Sequence, residues 1–177
     1  MSNDMLFPEL AQAKRRGMSS HERAKDGGTE QWLTPPSIIK ALGEFDLDPC
    51  SPVNRPWPTA KHHYTMYDNG LVKEWIGRVW LNPPYGVEAV RWMRRMKTHN
   101  NGIALIPART ETRMYFECVW GVARAMLFVK GRMRFYMVNG KPAKGAGPAP
   151  MVLIAYGQSN ADALAGCGIA GHFVWTT

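Results

Sequence analysis

The chain predicts an α/β fold with a mainly parallel sheet, helices on both faces, and a C-terminal antiparallel strand or hairpin. Three observations carry that expectation. Segments with strand character alternate with segments of helical spacing along the 177 residues. Several strand segments are continuous apolar runs, as strands buried on both faces require. Polar and proline-rich residues gather directly after those runs: DLDPC at 46–50, LNPPYG at 81–86 and LIPART at 105–110. In open α/β sheets, ligands bind outside the carboxyl ends of the strands.

The elements follow in order. Residues 1–28 are polar and basic and read as a flexible arm before a single domain at 29–177. AKRR at 13–16 would touch phosphates or stand as a solvated charge run. TPPSIIKALGEF opens a helix, with Thr34 as a cap, prolines at the entry, and Ile38, Ile39 and Leu42 as its apolar stripe. EFDLDPC is a short strand on which Asp46 and Asp48 share a face. Residues 51–70 are loop-like and long for a structureless connection, which suggests a functional loop. No strand is placed there, and His62–His63 reads as loop surface.

GRVWLN is the next strand, broken by two prolines. GVEAVRWMRRMKTH has helical spacing, with Val87, Val90 and Met93 or Met96 on one side. NGIALIPART is a buried strand and polar loop, ETRMYFECVWGVA a helix, and RAMLFVKG a strand. RMRFYMVNGKPAKGAG is one arm of a hairpin with an Asn139–Gly140 turn. APMVLIAYG is the final core strand.

Charge narrows the partners. Lys and Arg number 22 against 14 Asp and Glu, a net charge of +8. That balance favours a polyanion such as DNA, or marks a generically basic soluble protein. Cys50, Cys118 and Cys167 are odd in number and lack a CxxC spacing, so neither a disulfide framework nor a zinc site is expected. No secretion signal and no membrane-length apolar run is visible, and a reducing, cytoplasmic setting fits.

The chemistry concentrates in Asn82-Pro83-Pro84-Tyr85. Asn82 carries an acceptor and a donor in one neutral amide. The prolines fix the backbone and lack N–H groups, which leaves nearby carbonyls available as acceptors. Tyr85 adds a flat ring. Together they suit a planar group bearing an NH2. Two acceptors on its hydrogens would draw such a nitrogen toward tetrahedral geometry, each contributing about 3–4 kcal/mol in a transition state. Stacking on the ring adds roughly 1–3 kcal/mol. Asn-Pro and Pro-Pro are also common turn formers. The position after a buried strand and before a helix favours function.

This corner resembles the catalytic motif of amino-methyltransferases that use S-adenosylmethionine. QWLTPPSII, FDLDPCSPVN, DNGLVKEWIGRVWLNPPYG, LIPARTETRMYF and GRMRF, in that order, resemble the phage-encoded DNA N6-adenine methyltransferase family. The resemblance spans about residues 31–156. It implies an abbreviated Rossmann-like methyltransferase fold and in-line methyl transfer from S-adenosylmethionine to the N6 of a flipped adenine. Asn82 and the Pro83 carbonyl would hold the amino hydrogens, Pro84 would shape the turn, and Tyr85 would stack on the base. Trp32, Thr34 and Pro35 would flank the donor's methionine part. Asp46, Asp48 and Pro49 match a strand-end acidic motif that would take its ammonium group, and Asp68 would meet its adenosine. DPCSPVN holds no glycine, so the donor site departs from the glycine-rich loop of many methyltransferases.

Arg132, Arg134 and Lys141 (with Lys144 nearby) would grip DNA phosphates or form a solvated face. Arg109, at a strand end, would contact phosphate or pair with Glu111. Cytosine N4, a glutamine side-chain amide, and a nucleic-acid-binding protein without turnover are the alternative readings.

Overall fold

Alternation along the strands sorts the apolar side chains into two layers. The computed structural model describes residues 32–145, 147 and 149–176. The basic arm at 1–28 lies outside the described residues. The chain runs β1 (Trp32–Leu33), α1 (Pro36–Leu42), β2 (Leu47–Asp48), β3 (His62–His63), β4 (Val79–Leu81), α2 (Ala89–His99) and β5 (Gly102–Pro107). It continues through α3 (Arg113–Cys118), β6 (Ala125–Val129), β7 (Tyr136–Met137), β8 (Met151–Tyr156), α4 (Gln158–Ala165) and β9 (Gly171–Trp175). Val79, Leu81, Ala104 and Ile106 point into a core with Trp92, Met93 and Met96 of α2 and Tyr115 and Cys118 of α3. Trp80, Ile103 and Leu105 point the other way, onto Leu42 of α1 and Ala161 and Leu164 of α4. Period-two alternation is what a strand covered on both faces produces. The expected helices on both faces are therefore present.

Seven strands form one sheet in the order β3-β2-β4-β5-β8-β6-β9. β3, β2, β4 and β5 pair in parallel. β8 runs antiparallel to both β5 and β6, and β9 antiparallel to β6. Five of the seven strands thus point one way, so their carboxyl ends share one edge. That direction places DLDPC, LNPPYG and LIPART together, as the strand-end rule requires.

Several expectations are corrected. β3 lies inside the stretch read as loop, where His62 and His63 pair with Leu47 and Asp48. Two polar histidines on an edge strand give no apolar period to recognise. Val87 is 88% exposed and precedes α2, whose buried face is Ala89, Trp92, Met93 and Met96. The segment from Glu111 to Ala123 is helical only at Arg113–Cys118. β8 is not the last strand, since α4 and β9 follow it. Thr34 makes no cap, because Pro35 occupies that position without a side-chain bond. Asp46 precedes β2 instead of sharing a strand face with Asp48.

The hairpin is shorter than its sequence suggests. β7 has two residues, and its return is a single bridge from Tyr136 to Pro142. Gly140 turns the chain at a φ of 78°, a left-handed conformation that suits glycine. β7 pairs with β1 in a separate two-stranded sheet. Met133 and Phe135 are buried while Arg132 and Arg134 are exposed, although no strand includes them. Among the described residues no helix is long and apolar enough to cross a membrane.

Candidate active site

β4 is three residues of buried backbone, and it delivers Asn82 to the shared carboxyl edge. Pro83 follows, buried, and prevents the strand from continuing. The chain then doubles back, so the Tyr85 hydroxyl donates to Asn82 Oδ1 across 3.0 Å. Its ring is half-buried against the core beneath α1, and burial raises its phenol pKa far above the usual value. Tyr85 therefore stays a neutral donor.

Two further contacts fix the asparagine. Its Nδ2 donates to Thr34 Oγ1 at 3.4 Å. Its backbone carbonyl accepts the Cys50 thiol at 3.2 Å. Burial, then the nearby Asp48 charge, pushes the Cys50 thiol well above its usual pKa, so the proton that makes this bond is retained. The ends of β2 and β4 are thereby joined through Cys50.

The glycine-free turn after β2 is built from a carboxylate. Asp48 Oδ1 accepts the Cys50 N–H at 3.1 Å, a side-chain-to-backbone closure two residues on. Its Oδ2 accepts the Thr59 hydroxyl. Gly70 brings a second loop against this turn: a Cβ there would stand 1.9 Å from the Pro49 carbonyl oxygen. The glycine needed for close approach thus comes from a different loop. Thr59 is steadied in turn by His63, whose Nε2 accepts the N–H groups of Thr59 and Ala60 at 3.2 and 3.3 Å. Desolvation lowers His63 to about 4, keeping the ring neutral and able to accept.

Asp48 has unusual electrostatics. It is 4% exposed, and burial raises its pKa from 3.8 to about 6 against the pull of Thr59, Cys50 and the Arg55 charge. No ion pair among the described residues involves it. A buried carboxylate that feels Arg55 only at a distance and is ion-paired with no cation fits a ligand that brings one.

The remaining predicted residues divide. Trp32 is half-buried on β1 and Pro35 holds the N-cap position of α1 beside Thr34. Pro49 is buried in the β2 turn. Asp68 closes its own loop, its Oδ2 accepting the Thr65 N–H at 2.8 Å and hydroxyl at 2.9 Å. These two bonds, the backbone one first, lower its pKa. Asp46 stands at the opposite edge, where it accepts the Arg78 N–H at 2.8 Å and the Lys61 ammonium at 3.1 Å. It anchors the start of the strands and is not brought to the corner. Arg109 is exposed just after β5. Arg132, Arg134 and Lys141 are exposed on the segment that leaves β6 at the same edge. Lys141 flanks the Asn139–Gly140 turn and donates its N–H to Asn139 Oδ1.

Sequence reasoning missed Thr59, the donor role of Cys50 and the Tyr85–Asn82 bond. No local pattern marks Thr59, which meets Asp48 only because β3 returns beside β2. Cys50 was visible inside DLDPC, next to the acidic pair.

With this geometry in place, comparison with known proteins is informative. The model of the DNA N-6-adenine-methyltransferase (Dam) family matches residues 21–163, more than three quarters of the chain. No curated protein and no solved structure matches it.

Proposed function

The chain belongs to the DNA N-6-adenine-methyltransferase family and is an enzyme acting on DNA, and from that premise we propose that Asn82–Tyr85 is its catalytic corner. The observation that carries this reading is the Asn82 side chain, held at the carboxyl edge by partners on both halves of its amide. Asn82 Oδ1 and the Pro83 carbonyl accept the two hydrogens of adenine N6. They raise the electron density on that nitrogen and stabilise the positive charge that develops there. Pro84 holds the turn. Tyr85 stacks on the base, which must leave the duplex at a cost of a few kcal/mol.

S-adenosylmethionine, when bound, supplies an electrophilic methyl group. Asp48 would receive its ammonium, a direct ion-pair partner that the buried carboxylate does not have among the described residues. Trp32, Pro35, Pro49 and Asp68 would complete the donor site. Thr34 belongs with Asn82, and Asp46 is left out of the donor set. Arg109, Arg132, Arg134 and Lys141 hold phosphates around the edge. Residues 29–177 make one methyltransferase domain of an abbreviated Rossmann-like type.

The test is transfer of labelled methyl from S-adenosylmethionine to DNA, followed by hydrolysis to nucleosides. Label in N6-methyladenine supports the reading. Label in N4-methylcytosine, or DNA binding without donor binding, contradicts it.

A further inference from the structure

Asn82 can work only if its amide presents oxygen, not nitrogen, to the substrate's amino group. An amide reversed by half a turn would set two NH2 groups against each other. The NH2 half therefore needs a partner that is not the substrate. Among the described residues that partner is Thr34 Oγ1, at 3.4 Å from Nδ2.

Thr34 is itself fixed. It is 2% exposed, so water cannot readily replace its hydroxyl. Its carbonyl accepts the Trp57 indole N–H at 3.3 Å, and Trp57 packs edge-on against Tyr136 of β7 with ring centroids 5.2 Å apart. On one side Thr34 adjoins β1, which pairs with β7. On the other it runs into Pro35 and Pro36 at the start of α1. The two-stranded sheet and the proline-led helix thus hold one hydroxyl over the end of β4.

The geometry points to Thr34 as a positioning residue that acts through Asn82, an assignment that rests on the reading of Asn82 given above. Its hydroxyl accepts the amide N–H and so directs Oδ1 toward the base. It touches neither the adenine nor the transferred methyl. The contact is made by the oxygen alone, so serine can supply it and valine, of nearly the same shape, cannot.

The experiment compares Thr34→Val, Thr34→Ser and Asn82→Ala in steady-state methylation, with donor affinity measured separately by calorimetry and folding checked by thermal melting. Thr34→Val is expected to lower kcat about 10-fold to 100-fold, the effect of leaving one buried polar group unpaired. Donor Kd should stay within about twofold of wild type, since removing a group that contacts no donor atom leaves binding free energy unchanged. Thr34→Ser should recover most of kcat. If valine destabilises the fold, Thr34→Ala against Thr34→Ser, assayed below both melting temperatures, makes the same comparison. Wild-type kcat in Thr34→Val overturns the assignment, as does a loss confined to donor Kd. If Asn82→Ala is inactive while Thr34→Val is not, the positioning role alone fails. Full activity in Asn82→Ala overturns the reading of the corner and the positioning role with it.

Discussion

The Tyr85 hydroxyl donates to Asn82 Oδ1 across 3.0 Å, so the ring and the amide of the corner hold each other. The bond occupies the acceptor that the adenine amino group is proposed to use. On that proposal substrate entry exchanges one donor for another at the same oxygen, and the ring stays in place to stack on the base.

Separate substitutions divide these two jobs of Tyr85. Tyr85→Phe keeps the ring and frees Oδ1, so kcat/KM should remain within about fivefold of wild type, a change of under about 1 kcal/mol. Tyr85→Ala removes stacking worth roughly 1–3 kcal/mol and should lower kcat/KM about 10-fold or more. Steady-state methylation of a short duplex measures both. Equal losses in the two variants would contradict a stacking role.

In the proposed mechanism Asp48 trades stability of the fold for donor binding. Its folded pKa, about 6, lies above the ordinary 3.8, so the fold favours the protonated form. The contribution is fully present below about pH 4 and is lost as pH rises through 6, leaving a cost of about 3 kcal/mol at pH 7. Asp48→Asn should therefore raise unfolding free energy at pH 7 by up to about that amount, with little change near pH 4. The same variant should lose donor affinity, and wild-type affinity should fall as pH drops through 6. Urea denaturation and calorimetry across pH check both halves. A less stable Asp48→Asn at pH 7 would contradict a charge whose burial outweighs its compensation.

Arg132 and Arg134 are exposed beside buried Met133 and Phe135, so removing either charge should leave the core intact. Arg134→Ala should weaken DNA binding on all sequences alike and reduce the slope of log K against log salt by about 1. Fluorescence anisotropy over a salt series reads this directly. An unchanged slope would assign the residue to a solvated face.

The long apolar strands were legible because their environment is written into their composition. GIALIP and MVLIAY are buried on both faces, and their runs declare it. The corner was legible because four unusual residues are contiguous. What escaped is of two kinds. β1 and β3 have two residues each, too few to show a period, and they exist through pairing with distant partners. The second kind is contact across the sheet: Cys50 to Asn82, Thr59 to Asp48, and Thr34 to Asn82 join residues 11 to 48 positions apart. Asp46 shows the converse. It shares a motif with Asp48, yet two positions in sequence set it at the other end of the strand, where Arg78 and Lys61 claim it.

In the proposed mechanism Asn82 serves adenine N6 and not the fold. Asn82→Ala removes the side-chain acceptor while leaving the backbone carbonyl that Cys50 contacts. The decisive measurement is single-turnover methyl transfer to DNA by this variant, with donor and DNA affinities and the melting temperature measured on the same preparation. The rate should fall at least about 100-fold, as for loss of one preorganised polar group, with both affinities and folding close to wild type. Wild-type transfer by Asn82→Ala would contradict that role.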